Sequence, residues 1–452
     1  MIRVGCVASL FLAVCLTSIE GAAKQPANVA STLAAITKLG GRVIYPDNDS
    51  SKNVVKVSLR RIRLTNEDLA HLAPLTTTQE IILNGFKYEI DDAGLKHLAG
   101  LKDLKKLWLL NTQIKGPGLK HLVELKKLRT LWISDTDLTD AGLRHIEKMT
   151  NLRALRIDRT KVTDAGLAHL KNLIQLEELD ISETHVTDAG MDHVACFAKL
   201  SWLKFGDQIT DAGMSRLGML SRLAYLDIES PLVTDEGLMH LRGLRNLWLL
   251  YISRTKVTDA GLVHLKDATK LQVLNLGPAV TGAGLAHINH LTSLRTIYFR
   301  GKDLDDDDME NLCPLKNLET LALSGTQVTD KGLGVLRDLK KLSWLTLPNA
   351  TTDAGVANLK NLTQLYSLSL SGSQITDEGL VHLKGMSRMQ RLSLDRTAIT
   401  DAGLKHLHGL DKLYTLNLSD TRVTQKGIDD LKRALPNVHI QQASRFGRLR
   451  QF

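Results

Sequence analysis

A single pattern of roughly 24 residues recurs sixteen times between Val54 and Ile440. Residues Leu152 to Leu173, LRALRIDRTKVTDAGLAHLKNL, give it in full as L-x-x-L-x-L-x-x-T-x-V-T-D-A-G-L-x-H-L-x-x-L. A unit this short cannot bury its own leucines. Each must cover the next, so the chain is predicted to stack into one solenoid that carries its function on a repeated surface. A length of 452 residues by itself suggests two or three domains. The array overrides that expectation, because it spans about 85% of the chain without an internal linker.

Within a repeat, L-x-x-L-x-L reads as a short strand. In Leu155-Arg156-Ile157 the polar residue alternates with apolar ones and faces away from the core. The T-D-A-G-L-x-H-L part reads as a short helix, with Thr163 or Asp164 capping its first amides and Leu167, Leu170 and Leu173 forming one buried stripe. Strands are then expected to stack in parallel on one side and helices on the other. Most repeats are 24 residues apart; those ending at Thr210, Thr281 and Thr352 lose one residue in the strand-to-helix loop, and the one ending at Asp91 gains two near Asn84 to Glu89. The strands keep their phase throughout.

These motifs resemble leucine-rich repeats. The strand segment is similar to that family's signature, and V-T-D-A-G-L resembles the cysteine-containing and F-box-associated subtype. With Lys38 to Gly41 leading it, the array resembles exported T-D-A-G-L-x-H-L sets of planctomycete-type bacteria. The resemblance implies an α/β fold: a curved solenoid with parallel strands on the concave face and short helices on the convex face. Two departures stand out. The turn residue common in the family as Asn or Cys is here Thr, at Thr112, Thr136, Thr160, Thr184, Thr255, Thr326, Thr397 and Thr421, whose hydroxyls can satisfy loop backbone. No F-box-like segment precedes the array.

The ends differ from the middle. Residues 1–23 carry Arg3, an apolar run from Val4 to Leu16, and Gly21 and Ala23, and read as a secretory signal cleaved near Ala23. The run is too short for a membrane span. Residues 24–53 are expected to form an N-terminal cap, 54–430 the array, 431–440 a C-terminal cap and 441–452 a basic, frayed tail. Cys196 and Cys313 lie about five repeats apart, too far to bridge at about 4.8 Å per strand. The formal charge of +9 comes from cations scattered through the repeats, so it describes a solvated face that could hold polysaccharide.

Chemistry is sparse. Eleven of the fifteen histidines share one repeat position: His71, His97, His121, His145, His169, His193, His240, His264, His287, His382 and His406. Such a ladder supplies one imidazole per coil, whereas zinc wants three or four converging ligands. The histidines are expected to pack at the helix and to hydrogen-bond neighbouring backbone. Asp303 and Asp305 to Asp308 lack calcium-loop spacing and read as an acidic helix start. No G-x-S-x-G, phosphate loop or H-E-x-x-H occurs, so no enzyme activity, metal or cofactor is expected.

The aromatics are more informative. Seven of the twelve Trp and Tyr residues fall on the third and fifth places of L-x-x-L-x-L, the two columns expected to face solvent on the concave sheet. Trp108 and Trp132 share the fifth column with Arg156; Trp202 and Tyr225 share the third; Tyr251 and Tyr298 sit in the fifth, and Trp344 stands alone in the third. Glu178, Asp180, Lys204 and Asp227 add mixed charge there. Trp108, Trp132, Arg156, Trp202, Tyr225, Tyr251 and Tyr298 are therefore the candidate ligand-binding residues. The expected function is exported, non-catalytic recognition of a protein or cell-surface ligand by a monomer. A structural envelope role and carbohydrate stacking on the Trp columns are the alternatives. A nucleic-acid site would need a concentrated basic stripe.

Overall fold

The computed structural model describes residues 27–46, 53–60, 63–84, 90–299 and 303–442. The signal segment, most of the insertion before Ile90 and nearly all of the basic tail lie outside these. An 18-stranded sheet runs through the molecule. Among the described strands only the first, Arg42–Ile44, is antiparallel, pairing with Lys56–Arg60. Every later strand pairs in parallel with the next in sequence, through to His439–Gln441.

The register follows from the leucines. Leu107, Leu131, Leu155, Leu179, Leu203 and Leu226 align strand to strand and are fully buried. A one-residue slip would turn each of them to solvent, so the core itself pins the pairing. Short α- and 3-10 helices such as Asp164–Ala168 and Gly94–Leu98 return the chain on the far side. Packed helices need about 8–10 Å between axes while strands need about 4.8 Å, so the stack bends with its sheet on the inside.

At the turn after six of the described strands, a left-handed residue redirects the chain: Asn111, Asp135, Arg159, Glu183, Arg396 and Asp420 all have φ between 51 and 58°. The threonine that follows ties the turn. Thr160 Oγ1 donates to the Ile157 carbonyl at 2.6 Å, and Thr184, Thr255, Thr326, Thr397 and Thr421 repeat the bond. Thr112 is the exception, its hydroxyl being buried without a partner.

The T-D-A-G segment starts its helix as expected and also links neighbouring coils. Thr163 does cap its helix, accepting from the Ala165 amide. The aspartate does not cap its own helix; it reaches into the following coil. Asp140 accepts the Thr163 amide and hydroxyl, both at 2.7 Å, and Asp164 does the same for Thr187. The arrangement recurs down to Asp401 and Thr424. Each clasp contributes about 1.5–3 kcal/mol as a charge-assisted pair of bonds. The glycine is fixed by the same contact, since a Cβ on Gly166 would stand 2.4 Å from Asp140 Oδ1. Bonding to Thr424 correspondingly holds the Asp401 carboxyl below the usual range.

At the N-terminal end, helix Ala27–Lys38 precedes Gly40, whose φ of 81° stops it. Gly41 lies so close to Leu59 and Ile36 that no side chain fits. Helix Gln425–Ala434 buries Ile428 and Leu431 at the other end. The histidine ladder departs from its expectation. Its imidazoles are mostly half-buried at the helix, but among the described residues none hydrogen-bonds neighbouring backbone, and His264 Nδ1 is buried without a partner. The helix already satisfies those carbonyls internally, so the rings serve as packing. Cys196 and Cys313 are both free thiols.

Candidate functional site

The two aromatic groups separated in the sequence form one continuous ladder. Trp108 and Trp132 face each other on adjacent strands with ring centroids 4.6 Å apart and planes 8° from parallel. Arg156 follows in the same column. Its guanidinium lies 4.1 Å from the Trp132 ring and, reaching diagonally, 4.6 Å from Trp202. Trp202 stacks on Tyr225 at 4.6 Å, and Tyr225 meets Tyr251 edge-on at 6.0 Å. At the other end Lys56 and Arg60 both stand 5.7 Å from the Trp108 ring. Arg156 is what joins the halves, and Glu178 holds it through a 2.5 Å bond to Nε.

This packing alters the expected exposure. The ladder rings are half-buried, and Trp108 Nε1 and Trp132 Nε1 are buried without partners. Both broad faces of Trp132 and of Trp202 are already covered by neighbours. Ala154, Asp180, Asp227 and Leu249, placed in the solvent-facing columns by their sequence positions, are buried, because the long side chains around them close over the short ones. Tyr298 is 38% exposed and sits two strands beyond Tyr251 across Asn275, outside the stack. Trp344 lies between Thr320 and Ser367, away from the ladder.

A largely buried acidic cluster adjoins the rings. Asp180 bonds the Ser182 amide and hydroxyl, and Lys204 lies 3.2 Å from Glu229 and 3.6 Å from Asp227. Burial raises the Asp180 carboxyl, with Asp158 adding repulsion. Burial also pushes Asp227 up to about 6, Lys204 opposing and Glu229 and Asp180 assisting. Lys204 is raised on balance: burial lowers it, but Asp227 and Glu229 outweigh that. Lys56, Arg60, Asp158 and Glu229 were not singled out in the sequence. The first two lie on strand Lys56–Arg60, where their role depends on reaching past buried Ile82 to Trp108.

The Asp227 shift has a thermodynamic consequence. Its carboxyl binds a proton more tightly folded than unfolded, so stability falls as pH rises from about 4 to about 6. Above that window the charged form costs on the order of 2–3 kcal/mol. Asp227→Asn should therefore raise the denaturation midpoint at pH 7.5, by an amount that shrinks as the pH falls toward 4. Denaturant melts across that range are the check, and a midpoint at pH 7.5 no higher than the parent's would refute it.

The Leucine Rich repeat family pattern matches residues 315–336 and 362–383. No curated protein matches the sequence. Among solved structures, an internalin from Listeria monocytogenes is 20% identical, with 86% of this chain and 94% of that one covered and a TM-score of 0.41. A leucine-rich-repeat protein of Leptospira interrogans is also 20% identical, with 84% of this chain and 95% of that one covered and a TM-score of 0.50. Likeness at this identity concerns the backbone and not the ligand. The fold of this chain is a leucine-rich-repeat solenoid, with strands in one mostly parallel sheet and short helices between them.

Proposed function

We propose that the chain is an exported, non-catalytic recognition scaffold that binds a protein ligand on its concave sheet. The observation that carries this is the unbroken ladder from Lys56 and Arg60 to Tyr251, set beside the acidic cluster. Rings held rigid by their neighbours lose little entropy on binding, which suits Trp and Tyr as interface anchors. The occupied ring faces argue against sugar stacking there, because a pyranose needs a free face. Asp180, Asp227 and Glu229 outnumber Lys204 and Arg254, so the ligand is an extended segment presenting Lys or Arg to this acidic cluster. Export rests on the N-terminal segment, and the fold itself is of the kind that presents a protein-binding sheet. Among the described residues no helix is long and apolar enough to cross a membrane.

An array of extended Lys- and Arg-containing peptides, read with the full chain, tests the proposal. Trp202→Ala with Tyr225→Ala should weaken the captured peptides by about 30-fold or more while leaving the core leucines, and hence the melt, close to the parent. Undiminished capture by a well-folded double variant would move the site elsewhere.

A further inference from the structure

A second surface, independent of the concave ladder, lies along one edge of the sheet. The residue after the first leucine of each strand extends the parallel ladder there. The Ser343 amide donates to Glu319 O, Tyr366 to Ser343 O, Gln390 to Tyr366 O and Tyr414 to Gln390 O, at 2.8–2.9 Å. These rungs border a groove of about 500 Å³ lined by Lys341, Gln364, Tyr366, Arg388, Gln390 and Lys412. Tyr414 is the next rung and is 65% exposed, while Tyr366 is 36% exposed. Neither tyrosine ring stacks on another aromatic among the described residues, so unlike the ladder rings they keep free faces.

Along the same edge upstream, some cations are answered by carboxylates, Lys127 by Asp103, Arg153 by Glu177 and Arg295 by Glu319, at 2.6–2.7 Å, and others, Lys105, Lys199 and Lys270, by the amides of Gln79, Gln175 and Asn246. In the groove the bonded partners are amides alone. Lys341 bonds Asn317 and Arg388 bonds Gln364, and Lys412 has no ion pair among the described residues. The one carboxylate lining it, Glu319, is already held by Arg295. Three cations therefore stand without a negative counterpart, interleaved with amide and hydroxyl groups and flanked by two open aromatic faces.

We infer that this edge binds an acidic polysaccharide. Its uronate carboxylates would pair with Lys341, Arg388 and Lys412, its hydroxyls with Gln364, Gln390 and Ser343, and its sugar rings would lie against Tyr366 and Tyr414, about 10 Å apart as alternate rungs. Sugar rings present apolar faces to aromatics and hydroxyls to amides, which this mixture matches. Nucleic acid calls for a longer, denser basic stripe than three cations provide.

Calorimetry of the full chain with a galacturonate hexamer tests the inference. Binding is expected, weakening with salt. Tyr366→Ala with Tyr414→Ala should reduce affinity about tenfold, and Arg388→Gln with Lys412→Gln by a similar factor, with unchanged melts. The Trp202 and Tyr225 variant should bind the hexamer normally, which separates this site from the concave one. No binding of the hexamer by the full chain, equal affinity in both edge variants, or equally tight binding of oligo-dT would overturn it.

Discussion

Gly282→Asp is expected to destabilise the array by about 3 kcal/mol, and Asp308→Gly in the same chain to restore most of the loss. The reason lies in how the inter-coil clasp is built. Elsewhere an aspartate in one coil sits against a glycine in the next, as Asp259 sits against Gly284 and Asp306 against Gly332. Between the coils of Thr281 and Asp305 the pair is exchanged: Gly282 holds the aspartate's place and Asp308 the glycine's. A Cβ on Gly282 would fall 1.7 Å from Asp308 Oδ2. The Asp308 carboxylate accepts the Asp305 amide from within its own coil, the bond that a preceding aspartate makes elsewhere. Burial raises the Asp308 carboxyl, and Asp305 and Asp259 add repulsion, so a further carboxylate would have neither room nor compensation.

Asp308→Gly alone should cost only about 1 kcal/mol, the loss of one bond at a partly exposed site. The double variant rebuilds the ordinary clasp. Urea melts of the four proteins give the coupling energy directly. Additive effects of the two changes would show that the exchange is incidental. The first coil shows the same logic. It has no predecessor, and Asp68, in the glycine's place, accepts the amide and hydroxyl of Thr65. Where Gly116 meets Gly142 there is no carboxylate at all; the backbones touch, and the Thr139 amide turns to the Lys115 carbonyl at 3.3 Å.

These particulars mark what the sequence could and could not convey. Leucine phase is a local, repeated signal, so strand order, register and the helix side were legible from one repeat. The turn threonines were legible too, since their bonds stay within three residues. The clasp was not, because an aspartate that caps its own helix and one that reaches into the next coil occupy the same position in the motif. Asp305 to Asp308 do form the acidic helix start read from the sequence, Asp305 accepting the Asp307 and Asp308 amides, but the motif could not show that Asp306 is also a clasp and Asp308 half of an exchanged pair. At the candidate site, column membership brought Trp108 to Trp132 and Trp202 to Tyr225. It could not show that Arg156 leans across from one column to the other, because that depends on side-chain reach. It also placed Asp180 and Asp227 in water; neighbours larger than themselves removed them from it.

Arg156 is for that reason the residue whose loss should most affect recognition. Its guanidinium fills the interval between Trp132 and Trp202, and Glu178 fixes its plane. Arg156→Ala is expected to weaken a concave-face ligand by about 100-fold. The cavity frees both indoles to rotate, and Glu178 is left half-buried without its cation. Arg156→Lys should recover little, since an ammonium is compact where contact with both rings requires a broad planar cation. Tryptophan fluorescence reads the ladder separately from binding: both variants should shift emission through Trp132 and Trp202, even without ligand. If Arg156→Lys matched the parent in emission and peptide capture, charge alone would suffice at this position. The ladder would then be two independent aromatic pairs, and recognition would not depend on their being joined.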